Sequence, residues 1–339
     1  MKKYLLQGKN SYKANLHCHT VISDGKRTPE EVKEIYKKLG YSIVAYTDHD
    51  VLIPHPELCD DTFLALNGFE VEVNEPNDRG FSHTRTAHIC MIALDPDNIT
   101  QPMWHRSKYL FGNAPQYRDM VKFDESEPDF VREYSSEGIS KIMTTGREKG
   151  FFVTYNHPTW SLEGYEEYMG YHGMHAFEMF NGDCICCGFG EYNPRVYDDI
   201  LRGGEKIFAI GADDNHNIAP DFTRRCDSGW AFTVIKADKL DYKTVTTSLE
   251  RGNFYASEGP EIKEIWCEDG KIHITTSEAE RITCTADMRY ARSALSEDGT
   301  PVTEAEFDLP KEFKYVRFTV IDAHGKHATS NAFFAEDIK

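Results

Sequence analysis

The chain has 339 residues, 40% of them hydrophobic, enough for one large domain or two ordinary ones with real cores. Asp and Glu number 56 against 38 Lys and Arg, a formal charge of -18 with no basic arm or Lys/Arg run. This balance argues against DNA, RNA beyond short oligonucleotides, or an anionic membrane as partner, although a small anion can still bind where metal ions invert the local field.

The opening "MKKYLLQGKNSYKAN" lacks the apolar core of a signal peptide, and no run reaches the length of a membrane span. Nine cysteines without a disulfide-like framework fit free thiols, so a cytoplasmic chain is expected. "CICC" (Cys184, Cys186, Cys187) has no second Cys or His pair at finger-like spacing.

The first predicted strand, "ANLHCHTVI", places His17 and His19 two residues apart, so both imidazoles project to one face while Cys18 points away. Two imidazoles on one face suit a shared cation, or a polar strand end. Next comes a helix, with Thr28 as N-cap, Pro29 as its first residue and Glu31 closing a capping box. Val32, Ile35, Tyr36 and Leu39 recur at helical spacing, and Gly40 ends the run. "YSIVAYTDHD" then reads as an apolar strand running into polar residues, which completes a β-α-β unit.

"TFLALNGFEVEV" is a strand reaching Glu70, and "RTAHICMIAL" is another that carries His88. Residues 95–134 lose periodicity and gain Pro, Trp and charge, as in a long excursion or lid over a barrel mouth. "SSEGISKIMTTGREKG" is a helix ending at Gly150. "FFVTYNHP" is a strand ending at His157, and "MHAFEMFN" one ending near Glu178 and Asn181. "NPRVYDDILRGG" is a helix, and "KIFAIGADDNH" a strand ending at His216. Alternating strands and helices predict a parallel sheet, and polar residues gathered at strand ends predict a site on one face of a β/α barrel. From Glu261 onward apolar and polar residues alternate without a comparable helix, predicting a small antiparallel β unit.

The ordered set "HCH", "SDG", "TDH", "GFE", "AHI", "NHP" and "DNH" resembles the polymerase and histidinol phosphatase (PHP) superfamily, in a branch that appends a β domain. The resemblance implies an α/β fold: a distorted (β/α)7-type barrel over residues 1–260, holding a cluster of two to three divalent ions, and a sandwich-like all-β domain over 261–339. It also implies that His17, His19, Glu70 and Asp214 hold one ion. Glu70 would bridge to a second held by His88 and His157, and Asp24, His49 and His216 would hold the third. Asp24 stands where some relatives have a histidine.

Two positions have competitors. Asp214 lies two residues from His216 and is preferred on the same-face rule, with Asp213 as the alternative. His88 sits inside an apolar run and is preferred to His83. Mixed imidazole and carboxylate ligands suit Zn, Mn or Fe better than Mg or Ca, and a carboxylate such as Glu70 can bridge ions ~3.5–4 Å apart. No Ser-nucleophile elbow or phosphate-binding glycine loop competes with this reading. The expected activity is hydrolysis of a small phosphomonoester or phosphodiester by a metal-activated water. Glu70, His17 and His216 are the candidate catalytic groups, and His17 and His216 the candidates to protonate the leaving group. Asp48 is expected to orient a ligand imidazole, Glu178 and Asn181 to line or support the pocket, and Arg225, with Arg85 or Arg224, to grip phosphate. The same ligand set could instead hydrolyse a carboxyl ester, amide or carbamate, or stabilise a binding module.

Overall fold

A computed structural model describes residues 2–338. Its strands, in chain order, begin with β1 (Lys3–Tyr4), β2 (Asn10–Asn15), β3 (Ile43–Tyr46), β4 (Leu64–Asn74), β5 (Thr86–Ala93), β6 (Phe151–Tyr155), β7 (Ala176–Asn181) and β8 (Phe208–Ala212). They continue with β9 (Phe232–Ala237), β10 (Phe254–Ser257), β11 (Ile262–Glu268), β12 (Lys271–Ala279), β13 (Arg281–Ala286) and β14 (Ala291–Leu295). The last are β15 (Val302–Asp308), β16 (Tyr315–Ile321), β17 (His327–Ser330) and β18 (Phe333–Phe334). The helices are α1 (Pro29–Lys38), α2 (Ser136–Glu148), α3 (Tyr165–Tyr168), α4 (Gly182–Cys187), α5 (Pro194–Gly203), α6 (Tyr242–Glu250) and α7 (Ala335–Ile338). Among the described residues no helix is long and apolar enough to cross a membrane.

Local chemistry sets the helix ends. Thr28 accepts from the Glu31 amide while Glu31 reaches back to the Thr28 amide, so α1 starts with a complete capping box and Pro29 at its first turn. Gly40 follows α1 at φ +80°, a conformation that costs a residue with a Cβ more than it costs glycine. Ser135 caps α2 through the Gly138 amide.

A large mixed sheet runs in the order β14-β13-β16-β17-β10-β9-β2-β3-β4-β5-β6-β7-β8, with β18 attached to β16. β2, β3 and β4 are parallel, as are β6, β7 and β8. β5 is antiparallel to both β4 and β6, which corrects the parallel sheet expected at this strand. The link over residues 75–85 holds only one short 3-10 turn, and a parallel crossover needs about a dozen residues and usually a helix. Alternate residues (Ala14 and Leu16, Ile43 and Ala45, Leu64 and Leu66) fill an inner core with Ile210, Ile235 and Phe254.

The expected distorted barrel does not close through backbone pairing. No backbone ladder joins β8 to β9; the Thr233 hydroxyl instead takes a hydrogen bond from the Gly211 amide (3.1 Å) and donates to the Gly211 carbonyl (2.9 Å). The two ends of the run from β2 to β8 meet just beyond their strands, where Cys18 and Asn215 form an isolated parallel bridge. The pairing beyond residue 260 is antiparallel throughout. β11, β12 and β15 form a second sheet with β1, and β13, β14, β16 and β17 extend the large one from β10. Ile265, Ile272 and Ile274 of one sheet pack in one cluster with Ile282, Phe318 and Val320 of the other.

Candidate metal centre

The bridge at Cys18 sets the geometry of the site. The His19 amide donates to the Asn215 carbonyl (3.1 Å) and the Asp214 amide to the His17 carbonyl (3.0 Å), so "HCH" and "DNH" run side by side. The pleat turns His17 and His19 inward and leaves Cys18 in an apolar cluster with Tyr36 and Tyr46. A second isolated bridge, His49 with Glu70, brings in the end of β3. Because β5 runs antiparallel, its early residue His88 lies opposite Glu72, at the edge of the sheet where the parallel strands end. His157 and Asp214 both have positive φ (26° and 54°), a backbone conformation uncommon for residues with a Cβ.

One buried carboxylate lies at the centre. Glu70 is fully buried and comes within 3.1 Å of His17 Nε2, 3.4 Å of His19 Nε2, 3.2 Å of His49 Nδ1, 3.1 Å of His88 Nδ1 and 3.8 Å of His157 Nε2. Asp214 lies 3.1 Å from His17 Nε2, 2.9 Å from His19 Nε2 and 3.6 Å from His157 Nε2. Asp24 lies 3.3 Å from His216 Nε2, 3.7 Å from His19 Nδ1 and 4.0 Å from His49 Nε2.

Burial by itself would lower the imidazoles. Asp214 and Glu70 outweigh it and hold His17 and His19 well above the ordinary histidine value, and with Glu178 they raise His157 to about 9. Conversely, burial would raise Glu70 and Asp214, yet the surrounding imidazoles hold both well below the usual carboxylate range. His49 goes the other way, lowered by burial to about 3. A neutral His49 makes no ion pair with Glu70 despite the 3.2 Å approach.

The fit to a cation rests on atoms left without partners. His49 Nδ1, His88 Nε2, Glu70 Oε2 and Asp214 Oδ1 are all buried and lack a hydrogen bond, although neighbouring nitrogens and oxygens lie near. Such atoms are costly unless a cation receives them. Five groups of potential ligand atoms share residues of this centre: His17, His19 and Glu70; His49, Glu70 and His88; His19, Asp24, His49 and His216; His17, His157 and Glu178; and Asp183, His216 and Asp227. Imidazole with carboxylate is a donor set for a divalent transition metal.

The outward nitrogens of the ring are held. His17 Nδ1 faces Glu178 Oε1 (3.0 Å), His157 Nδ1 faces the Ser161 hydroxyl (3.2 Å), and His19 Nδ1 lies 3.4 Å from the Ser23 hydroxyl. His216 Nδ1 lies 2.8 Å from the Asp214 carbonyl, which only accepts, so this ring carries its proton on Nδ1 and presents the Nε2 lone pair to the site. Glu178 also accepts from the His157 amide (3.0 Å) and from Asn181 (2.9 Å), and Asn181 donates to Asp214 (3.1 Å). Asp48 touches no imidazole, contrary to expectation. It accepts from the amides and hydroxyls of Thr20 and Ser23, and so reaches His19 only through Ser23.

The structure separates the competing pairs. Asp213 points away from the cluster and accepts from the Gly229, Trp230 and Ala231 amides and the Tyr36 and Tyr41 hydroxyls. His83 is exposed, whereas His88 is buried. The arginines are not brought in. Arg224 and Arg225 are exposed, and Arg85 pairs with Glu75 and Glu167.

A cavity of about 120 Å³ opens onto the cluster. Besides the candidate ligands, Phe81, Phe111, Trp160, Glu72, Asp183 and Cys184 line it, and among the described residues no Lys or Arg does. The excursion over residues 95–134 contributes Phe111, whose ring meets His49 edge-on at 5.4 Å. Sequence reasoning missed these wall residues, along with Ser23, Ser161 and Asn156, which donates to Glu70 (3.1 Å). Ser161 carried a readable signal, standing four residues after His157 in "HPTWS".

The sequence matches no protein-family model and no curated protein. Among solved structures, the chain is similar to a two-domain protein containing a predicted PHP-like metal-dependent phosphoesterase from Bacteroides vulgatus. The identity is 16%, the match covers 97% of this chain and 96% of that one, and the TM-score is 0.46. It is also similar to a candidate metal-dependent phosphoesterase from Bifidobacterium adolescentis (16% identity, 70% and 96% coverage, TM-score 0.38). A third likeness is to an amidohydrolase from Chromobacterium violaceum (18% identity, 61% and 89% coverage, TM-score 0.34). At these TM-scores the functional reading has to come from the site itself.

Proposed function

We propose that the chain is a metal-dependent hydrolase acting on a small phosphomonoester or phosphodiester, with two to three Zn, Mn or Fe ions. The observation that carries the reading is Glu70, one buried carboxylate within 3.8 Å of five imidazoles. His17, His19, Glu70 and Asp214 would hold the first ion, Glu70, His88 and His157 the second, and Asp24, His49 and His216 the third. Divalent ions in such a site supply Lewis acidity and water activated near neutral pH.

The chain's own part is to orient and to screen. Glu178, Ser161 and the Asp214 carbonyl hold the outward nitrogens of His17, His157 and His216. Phe81, Phe111 and Trp160 restrict access of bulk water and offer an apolar wall to the substrate body. His216 lines the cavity and His17 is buried behind the other ligands, so His216 would deliver a proton to the leaving group only with the third ion absent and its Nε2 protonated beside Asp24 (3.3 Å).

A second reading has its own observation. The cavity wall holds Glu72 and Asp183 but, among the described residues, no Lys or Arg, so a phosphate would have only the metal ions to balance it, and a neutral ester or amide would suit the aromatic wall. Metal content, measured by plasma mass spectrometry on protein purified without chelator or nickel, tests the metal reading. Two to three equivalents support it, and no retained metal after Mn or Zn addition sinks it. A panel of phosphate esters, carboxyl esters and amides then separates the two substrate classes. Glu70→Ala and His157→Ala should abolish turnover while the fold persists.

A further inference from the structure

Across the antiparallel pair β2 and β9, Ser11 stands opposite Lys236 and Lys13 opposite Val234. Residues two apart share a face, so these four side chains project together while Ala14 and Ile235 turn into the inner core. This face forms one wall of a groove of about 440 Å³ whose other side is built by Gly259, Glu261, Ile262 and Lys263. Phe232, Val234 and Tyr255 make its floor apolar, and Ser42 lies at its edge.

The two ammonium groups there are unusual. Lys13 Nζ stands 4.1 Å from the ring centres of both Tyr41 and Phe232, and its hydrogen bond is a long one to the Leu39 carbonyl (3.5 Å). Lys236 Nζ donates to the Ser11 hydroxyl (2.8 Å) and the Lys263 carbonyl (2.9 Å). Among the described residues neither has a carboxylate within 4.0 Å, in a chain with 56 acidic residues. Burial lowers both from the ordinary lysine value, against the more distant Asp213 for Lys13 and Glu264 and Glu261 for Lys236. The close partners of these half-buried cations are aromatic rings, a hydroxyl and carbonyls, with the Glu261 carboxylate in the facing wall but beyond 4.0 Å, so part of their desolvation cost is left uncompensated and a bound anion would relieve it.

We propose that this groove is a second anion-binding site, separate from the metal centre, for a small organic molecule carrying a phosphate or carboxylate on an apolar body. Lys13 and Lys236 supply the charge, the Ser11 hydroxyl a further donor, and Phe232, Val234 and Tyr255 the apolar contact. The volume falls in the range of small-molecule pockets. The site does not depend on the hydrolase reading.

Phenylphosphonate, which has no ester bond to hydrolyse, and benzoate serve as probes of the two anion types. Each is titrated calorimetrically into EDTA-treated protein, so that ions at the metal centre take no part. Amine acetylation mapped by mass spectrometry runs in parallel on the unmutated chain with and without probe. Expected is saturable binding of at least one probe, with Lys13 and Lys236 protected several-fold more than the other lysines. Lys13→Gln and Lys236→Gln should each weaken that probe about tenfold or more, with the thermal midpoint and any turnover of the metal-loaded chain unchanged. Binding of one probe alone assigns the anion as phosphate or carboxylate. Absence of binding by both, or equal protection of all lysines, overturns the proposal even if a variant fails to fold.

Discussion

Glu178→Gln changes one atom's chemistry and no volume, and its effect can be worked out from the hydrogen bonds it disturbs. Glu178 is fully buried and accepts from the His157 amide and Asn181 through one oxygen while facing His17 Nδ1 with the other. Glutamine has a single oxygen. If that oxygen serves the His157 amide, the new NH2 group meets His17 Nδ1, which must then accept. The His17 proton moves to Nε2, the nitrogen 3.1 Å from both Glu70 and Asp214, and the lone pair a metal needs is blocked. Loss of such an outer partner typically costs ~10–100-fold in metal affinity, or about 1.4–2.8 kcal/mol at 1.4 kcal/mol per tenfold. The loss also depends on pH. Glu178 is among the carboxylates that raise His17, so the variant meets less proton competition in acid. The loss should be largest near pH 8 and smaller near pH 6. Competition with a fluorescent Zn or Mn chelator at both pH values measures it, with thermal melting as the fold control. An affinity within twofold of the unmutated protein at pH 8 would refute the orienting role.

Asp213→Asn should lower stability by about 3 kcal/mol, since a buried acceptor of five donors gains an NH2 group among them, yet leave metal stoichiometry unchanged. Asp214→Asn should instead lower metal stoichiometry, whatever it does to the stability of the metal-free chain, and metal analysis beside urea melts distinguishes them. Asp48→Ala removes the acceptor for four donors of Thr20 and Ser23 and should cost about 3 kcal/mol, read by the same melts. EDTA should lower the thermal midpoint of the purified protein and Zn or Mn should restore it, because a ligand that binds only the folded chain stabilises it by mass action. An unchanged midpoint would count against a resident metal.

What the sequence showed, it showed where chemistry constrains residue type at short range. His17 with His19 and Asp214 with His216 are separated by two residues, and the pleat alone puts each pair on one side. The capping box of α1 was legible for the same reason. Contacts between distant segments left no such trace. His17 meets Glu178 across 161 positions, and the wall of the cavity comes from three separate loops carrying Phe81, Phe111 and Trp160. The antiparallel β5 was foreshadowed by the lack of a helix between Asn74 and Thr86, but strand periodicity says nothing of direction. The lysine groove was invisible because Lys13 and Lys236 lie far apart in a chain whose overall charge is -18.

The electrostatics of the centre also fix what must leave when a metal arrives. Without metal, the negative charge of Glu70, Asp214 and Glu178 is balanced by protons on His17, His19 and His157, the imidazoles held above their ordinary value. His157, raised to about 9 from 6.5, stabilises the metal-free fold fully below pH 6.5, and that contribution is lost as pH rises through about 9. A divalent ion needs the neutral rings, so it takes the place of those protons rather than adding to them. Metal binding should therefore release protons at pH 7 and strengthen as pH rises toward 9, while the metal-free protein loses stability over the same interval. Titration calorimetry in buffers of different ionisation enthalpy counts the protons directly. A count near zero at pH 7 would mean that the imidazoles are already neutral, and that the carboxylates hold less positive charge in place than their distances to the rings imply.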